Sequence, residues 1–241
     1  MKKRILIATT SHAIKGHTGQ PMGAYLPEIA HPYGVFARAG HSVELASVSG
    51  GVIPLDGVDG ADPASLAFLE EHRAALSRSL AAAAVDPDRY DAIFFAGGHG
   101  AMWDLPEDAA FMRASAAVYE RGGVVAAVCH GPAALVNVRL SNGHFLVEGK
   151  RVSAFTNAEE RAVGLDRVVP FLLEDRLKER GAEHVAGAMW QSHVVVSDRL
   201  VTGQNPASAA GVGEAVIETL RRAGSAAGAY SRNDTPNEIV G

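Results

Sequence analysis

The chain is 241 residues long, 47% hydrophobic and 20% charged, with a formal net charge of −5. That is enough apolar material for one sizeable α/β domain, and it leaves no basic footprint for nucleic acid or an anionic membrane surface, so a small molecule is the expected partner. The single cysteine, Cys129, excludes an intramolecular disulfide and a cysteine-based zinc cluster, and suits a reducing, cytoplasmic compartment.

In chain order, Lys2-Lys3-Arg4 leads into Ile5-Leu6-Ile7-Ala8, an apolar run too short for a signal peptide and read as a first buried strand, Arg4–Thr9. No run approaches the length of a membrane span. Further strands are expected at Ser42–Val48, Asp91–Ala96, Val124–Val128 and Val194–Val196. Helical spacing covers Glu28–Ala39, Pro63–Ala84, Pro106–Arg121, Leu165–Arg180 and Ala207–Arg222, with glycine stops at Gly40, Gly122, Gly181 and Gly224. This alternation predicts a doubly wound, mostly parallel sheet. Ile93–Ala96 and Val124–Val128 are apolar on both faces and so are central strands. One domain is expected over residues 1–223, and 224–241 reads as a mobile or surface-hugging tail.

Ligands of such sheets bind beyond the carboxyl ends of the strands. The two central strands lead there into Gly97-Gly98-His99-Gly100 and Cys129-His130-Gly131-Pro132. A cysteine at a strand-to-helix turn gains thiolate character from unpaired helix N–H groups, which makes it a nucleophile; a buried cysteine serving as a small hydrophobe is the alternative. The glycine loop lets backbone N–H groups approach a developing oxyanion, or it is only a turn. His130 adjoins the cysteine and would form a thiolate–imidazolium couple if ring and sulfur meet. Read from its residues alone, Glu28 is a solvated glutamate at a helix start. Glu28 and His31 have metal-ligand spacing but lack a second ligand set, so no metal site is expected. His12 and His17 read as surface histidines, and Ser192-His193 lacks a nucleophile elbow. Neither G-x-G-x-x-G nor a Walker A motif occurs, and no cofactor is expected.

The Ala96–Gly100 and Gly122–Pro132 segments closely resemble the ThiJ/PfpI superfamily of glutamine amidotransferase-like proteins. Phe155–Glu160 and Leu200–Ser208 are similar to its branch of heat-shock chaperones and glutathione-independent glyoxalases, the glyoxalase III proteins. The resemblance implies a flavodoxin-like three-layer sandwich, a homodimer, and a Cys129-His130-Glu160 triad, with Glu159 as the rival carboxylate. It also implies Glu28 as an acid beside the thiol, although Gln20-Pro21-Met22 lengthen the preceding loop and Pro27 stands directly before the acid. The implied activity is conversion of methylglyoxal or a related 2-oxoaldehyde to a 2-hydroxy acid, with protein deglycation as an extension. The N–H groups of Gly98 and His130, with His99 in the same loop, would bind the oxyanion. A cysteine-dependent amidase or peptidase, and a stress chaperone or oxidation sensor, are the alternatives.

Overall fold

The computed structural model describes residues 2–230, with side chains to Ala223. Side chains alternate across three neighbouring central strands, as the pleat requires. Leu6, Ala8, Ile93, Phe95, Val125 and Ala127 enter one apolar cluster, whereas Ile5, Ile7, Phe94, Val124, Ala126 and Val128 enter another. Both faces are therefore buried, and helices must cover both. The helix Ala109–Glu120 covers the first face through Phe111, Ala114 and Val118. The second face is covered by Leu26–Arg38, through Leu26, Ile29 and Phe36, and by Ala209–Tyr230, through Val212, Val216 and Leu220. Edge-on aromatic pairs tie sheet to helix on each side, Phe95 with Phe111 at 5.6 Å and Phe36 with Phe94 at 5.9 Å. The result is the expected flavodoxin-like three-layer sandwich.

The sheet has seven strands in the spatial order Val194–Ser197, Leu200–Gly203, Val124–Val128, Ala92–Phe95, Arg4–Thr9, Ser42–Ser47, Leu80–Ala81. All pairings are parallel except that of Val194–Ser197 with Leu200–Gly203. Among the described residues no helix is long and apolar enough to cross a membrane.

Several boundaries differ from the sequence expectation. Pro63–Ala84 is not one helix: Asp62 caps Pro63–Glu71 by accepting the N–H groups of Ala64 and Ser65, and Leu80–Ala81 then becomes an edge strand on Ser42–Ser47. Tertiary pairing there overrides the helix propensity of the alanines. Within Leu165–Arg180 only Leu173–Glu179 is helical, because Pro170 cannot donate and disfavours helix before it. Leu200–Gly203, only four residues long, is a strand that the sequence pattern does not predict. At the C-terminal end, Gly224 does not stop the last helix, which runs on to Tyr230, so that part of the expected tail is helical backbone. The rest of the expected tail, 231–241, lies outside the described residues.

Candidate active site

Strands Ala92–Phe95 and Val124–Val128 are neighbours, so the loops at their carboxyl ends meet. Cys129 ends the second strand with φ +59°, a left-handed conformation that is strained for a residue with a side chain. The turn closes without room to spare: a Cβ on Gly131 would strike the Phe95 carbonyl, and one on Gly97 would strike Glu28 Oε2. Only glycine fits at these two contacts. Beyond Cys129 the chain forms a five-residue 3-10 turn, Gly131–Leu135, rather than an α-helix. The expected helix-dipole activation of the sulfur is therefore replaced by local groups.

Glu28 is one of those groups. It sits in the first turn of Leu26–Arg38, fully buried, with Oε2 accepting the Gly97 N–H at 2.8 Å. Pro27 does not disturb this register, since proline is tolerated in the first helical turn. The lengthened loop before it folds back on itself: Lys15 N–H donates to Gln20 and Met22 N–H to Ala13, which leaves Glu28 in place. Burial raises the Glu28 pKa from 4.5 to about 8, opposed by hydrogen bonds with Cys129 and from Gly97. Its other oxygen, Oε1, is buried with no hydrogen-bond partner of its own.

Cys129 is 3% exposed. Burial, then the negative charge and hydrogen bond of Glu28, push its thiol pKa well up, against N–H groups from Gly98 and His130 that favour the thiolate. This corrects the expectation of a depressed thiol pKa: the elbow places the sulfur where water cannot solvate its charge. The correction extends to His130. Burial first, then the neighbouring His99, lower its pKa to about 4, so at neutral pH there is no imidazolium and no thiolate–imidazolium couple.

His130 nonetheless meets the sulfur, with Nδ1 3.3 Å from Sγ and Nε2 2.8 Å from Glu160 Oε2. Although burial would raise it, hydrogen bonds from His130 and His99 hold the Glu160 carboxyl down to about 2. An ionised Glu160 accepts from Nε2–H, which assigns the Nδ1 lone pair to the sulfur side.

Glu159 is elsewhere. Its Oε2 accepts from Thr156 N–H and hydroxyl in a helix capping box, and its Oε1 accepts from Trp190 N–H, Gln204 Nε2 and Asn205 Nδ2. Gln204 and Asn205, part of the Leu200–Ser208 resemblance, thus hold structure around the neighbouring acid.

Three side chains around His130 carry no such assignment in the sequence. His99 is expected there for its backbone, yet its Nε2 lies 2.9 Å from Glu160 Oε1, and its ring is 4.1 Å from that of His130. Phe155 stacks on His130 at 4.3 Å, and Trp190 lies against Phe155 at 5.7 Å. A histidine in a glycine loop and an aromatic just before the Glu159-Glu160 pair are visible signals; Trp190 carries no local one.

Among the described residues, His99, His130 and Glu160 bring three ligand atoms within 4.8 Å of one another, close enough to hold a metal ion, although both Nε2 atoms already engage the carboxylate. Glu28 and His31 do not converge: His31 Nε2 pairs with Asp62 at 2.9 Å. His12 is half-buried, stacked parallel to Trp103 at 5.3 Å, and His17 is exposed.

A cysteine elbow closed by a glycine loop on an open parallel sheet, with an acid from the first helix, defines a class of α/β proteins. Residues 23–219 match the DJ-1/PfpI family model, and the chain belongs to that family. It is similar to Glyoxalase 3 of Candida albicans, 31% identical over 89% of this chain and 97% of that protein. A crystal structure of glyoxalase III from Candida albicans superposes with a TM-score of 0.83 at 29% identity, covering 90% of this chain and 97% of the other. Glutathione-independent glyoxalase HSP31 of Saccharomyces cerevisiae is 30% identical over 91% of this chain and 98% of its own. Rapid Encystment Protein 24 kDa of Francisella tularensis superposes with a TM-score of 0.88 at 39% identity, covering 91% and 99% of the two chains.

Proposed function

We propose that the protein is a glutathione-independent glyoxalase of the glyoxalase III type, with Cys129 as nucleophile. The observation that carries this reading is the buried cluster of Cys129, Glu28 and His130, with His130 Nδ1 3.3 Å from the sulfur and Glu28 Oε2 on the Gly97 N–H, in which burial keeps the Glu28 carboxyl largely protonated. Of the singly deprotonated forms of the Glu28–Cys129 pair, the one that reacts is the thiolate beside a neutral carboxyl. The thiolate adds to the aldehyde carbon of methylglyoxal, forming an S–C1 bond. The new alkoxide lies among the N–H groups of Gly98 and His130 and takes the Glu28 proton.

The Glu28 carboxylate then removes the hydrogen on C1, with His130 Nδ1 as the second group in reach. The hydrogens of C1 and of its oxygen both pass to the adjacent carbonyl, through an enediol, leaving a lactoyl thioester. No electrons enter or leave. Water breaks the C1–S bond and returns lactate and the thiol. Glu160 fixes the His130 tautomer, and His99 holds the other oxygen of Glu160, so both are positioning residues in this scheme. A cytoplasmic homodimer, and glycated protein as a further substrate, belong to the same proposal.

The test is purified protein with methylglyoxal and no glutathione, with lactate measured by chiral chromatography. Lactate formation that Cys129→Ala abolishes is the expected result. An inactive wild type that instead hydrolyses acyl or amide substrates would favour the hydrolase alternative, for which the His130–Glu160 pair is the supporting geometry.

A further inference from the structure

Beside the site lies a bend with two exposed apolar side chains, Met189 at 48% and Trp190 at 44% exposure. Trp190 has φ +62°, a conformation in which a bulky residue is an outlier. Such strain persists only where the surroundings over-determine it. Here they do. Trp190 N–H donates to buried Glu159 at 3.0 Å, Gly187 N–H to Gln204 Oε1 at 2.7 Å, and Asn205 Nδ2 to the Gln191 carbonyl at 3.0 Å. Glu159, the residue preceding Glu160, thus fixes the bend from the same short helix that supplies the triad carboxylate.

The ring so displayed is not isolated. Trp190 contacts Phe155, and Phe155 lies on His130, whose Nδ1 reaches the reactive sulfur. The aromatic series therefore runs from solvent to the triad without a polar break. We infer that Trp190, backed by Phe155, is the wall against which the non-reacting substituent of a 2-oxoaldehyde packs, so that the site selects apolar and aryl substituents over the bare methyl group. This rests on the glyoxalase reading.

The wild type, Trp190→Phe and Trp190→Ala are compared by kcat/KM for methylglyoxal and phenylglyoxal. Trp190→Ala should lower the phenylglyoxal to methylglyoxal ratio about tenfold, mainly through KM, the size expected for one lost aromatic contact. Trp190→Phe should keep most of the preference. Equal loss on both substrates, or an unchanged ratio, overturns the inference. A second readout does not need turnover. The chain has two tryptophans, Trp103 and Trp190. In a Trp103→Phe background the emission of Trp190 should be quenched saturably by mandelate, the 2-hydroxy acid that phenylglyoxal would give, and not by lactate. If the wild type converts neither aldehyde, the glyoxalase reading has failed and the quenching alone decides whether this wall binds aryl groups; absence of quenching then overturns it.

Discussion

Glu28→Gln should make the protein more stable and nearly inactive. In the unfolded chain this carboxyl titrates in the ordinary range, near 4.5, whereas burial moves it to about 8 in the fold. Between those values the folded state holds a proton that the unfolded state releases, so the contribution of Glu28 to stability is intact below about pH 4.5 and is lost as pH rises towards 8. At pH 7 the loss is about 3 kcal/mol, at roughly 1.4 kcal/mol per tenfold change. Glutamine has the same size and no charge to suppress; its carbonyl can accept the Gly97 N–H and its amide can donate to sulfur. The variant should therefore gain about 2–3 kcal/mol at pH 7, which at this chain length is an increase of several degrees in Tm. The gain should shrink towards zero near pH 5. Denaturant unfolding of both proteins at pH 5, 7 and 8 measures it. Methylglyoxal turnover should fall about 10²-fold or more, as for a lost general acid–base group. A stability difference that does not change with pH would show that the carboxyl is not held neutral, and the proton-donor role drawn for it would go as well.

The same geometry sets the outcome of other perturbations. Cys129→Ala should abolish turnover while shifting Tm by no more than a few degrees, since one small buried side chain is exchanged for another; calorimetry and lactate assay check both. Iodoacetamide labelling of wild-type Cys129 should show a midpoint above the free-thiol value of about 8.5, and Glu28→Gln should lower it, because the carboxylate charge is one cause of the upward displacement. In the wild type, kcat/KM should rise with pH to an apparent midpoint near 8 that belongs to the Glu28–Cys129 pair, and this limb should move in Glu28→Gln. His99→Ala should lower kcat with little change in KM, and should raise the His130 midpoint seen by NMR, because His99 is one of the groups depressing it.

How much of this can be read from residues depends on whether the cause is local. The central strands are legible because Ile93–Ala96 and Val124–Val128 are apolar on both faces, a property of the sequence itself. The meeting of the two loops is legible for the same reason: Gly97–Gly100 and Cys129–Pro132 each follow one of these neighbouring strands. Glu28 is obscured by Pro27 and the longer loop, and only the closed turns at Lys15–Gln20 and Ala13–Met22 explain why its register survives. Between Glu159 and Glu160 the residues alone offer no choice. On a short helix, consecutive side chains point about 100° apart, so one must face the Trp190 bend when the other faces His130. The thiol pKa departs from expectation for a related reason, since the elbow motif specifies backbone shape and says nothing about water. Whether the sulfur is activated by a helix or restrained by burial depends on what packs over it, and that is set by Glu28 and His130, one of them about a hundred residues away in sequence. The same arrangement links stability to chemistry. A carboxyl that could be solvated would cost the fold nothing and would ionise well below neutral pH, so the destabilisation expected from Glu28 and the proton donation proposed for it are one property measured in two assays.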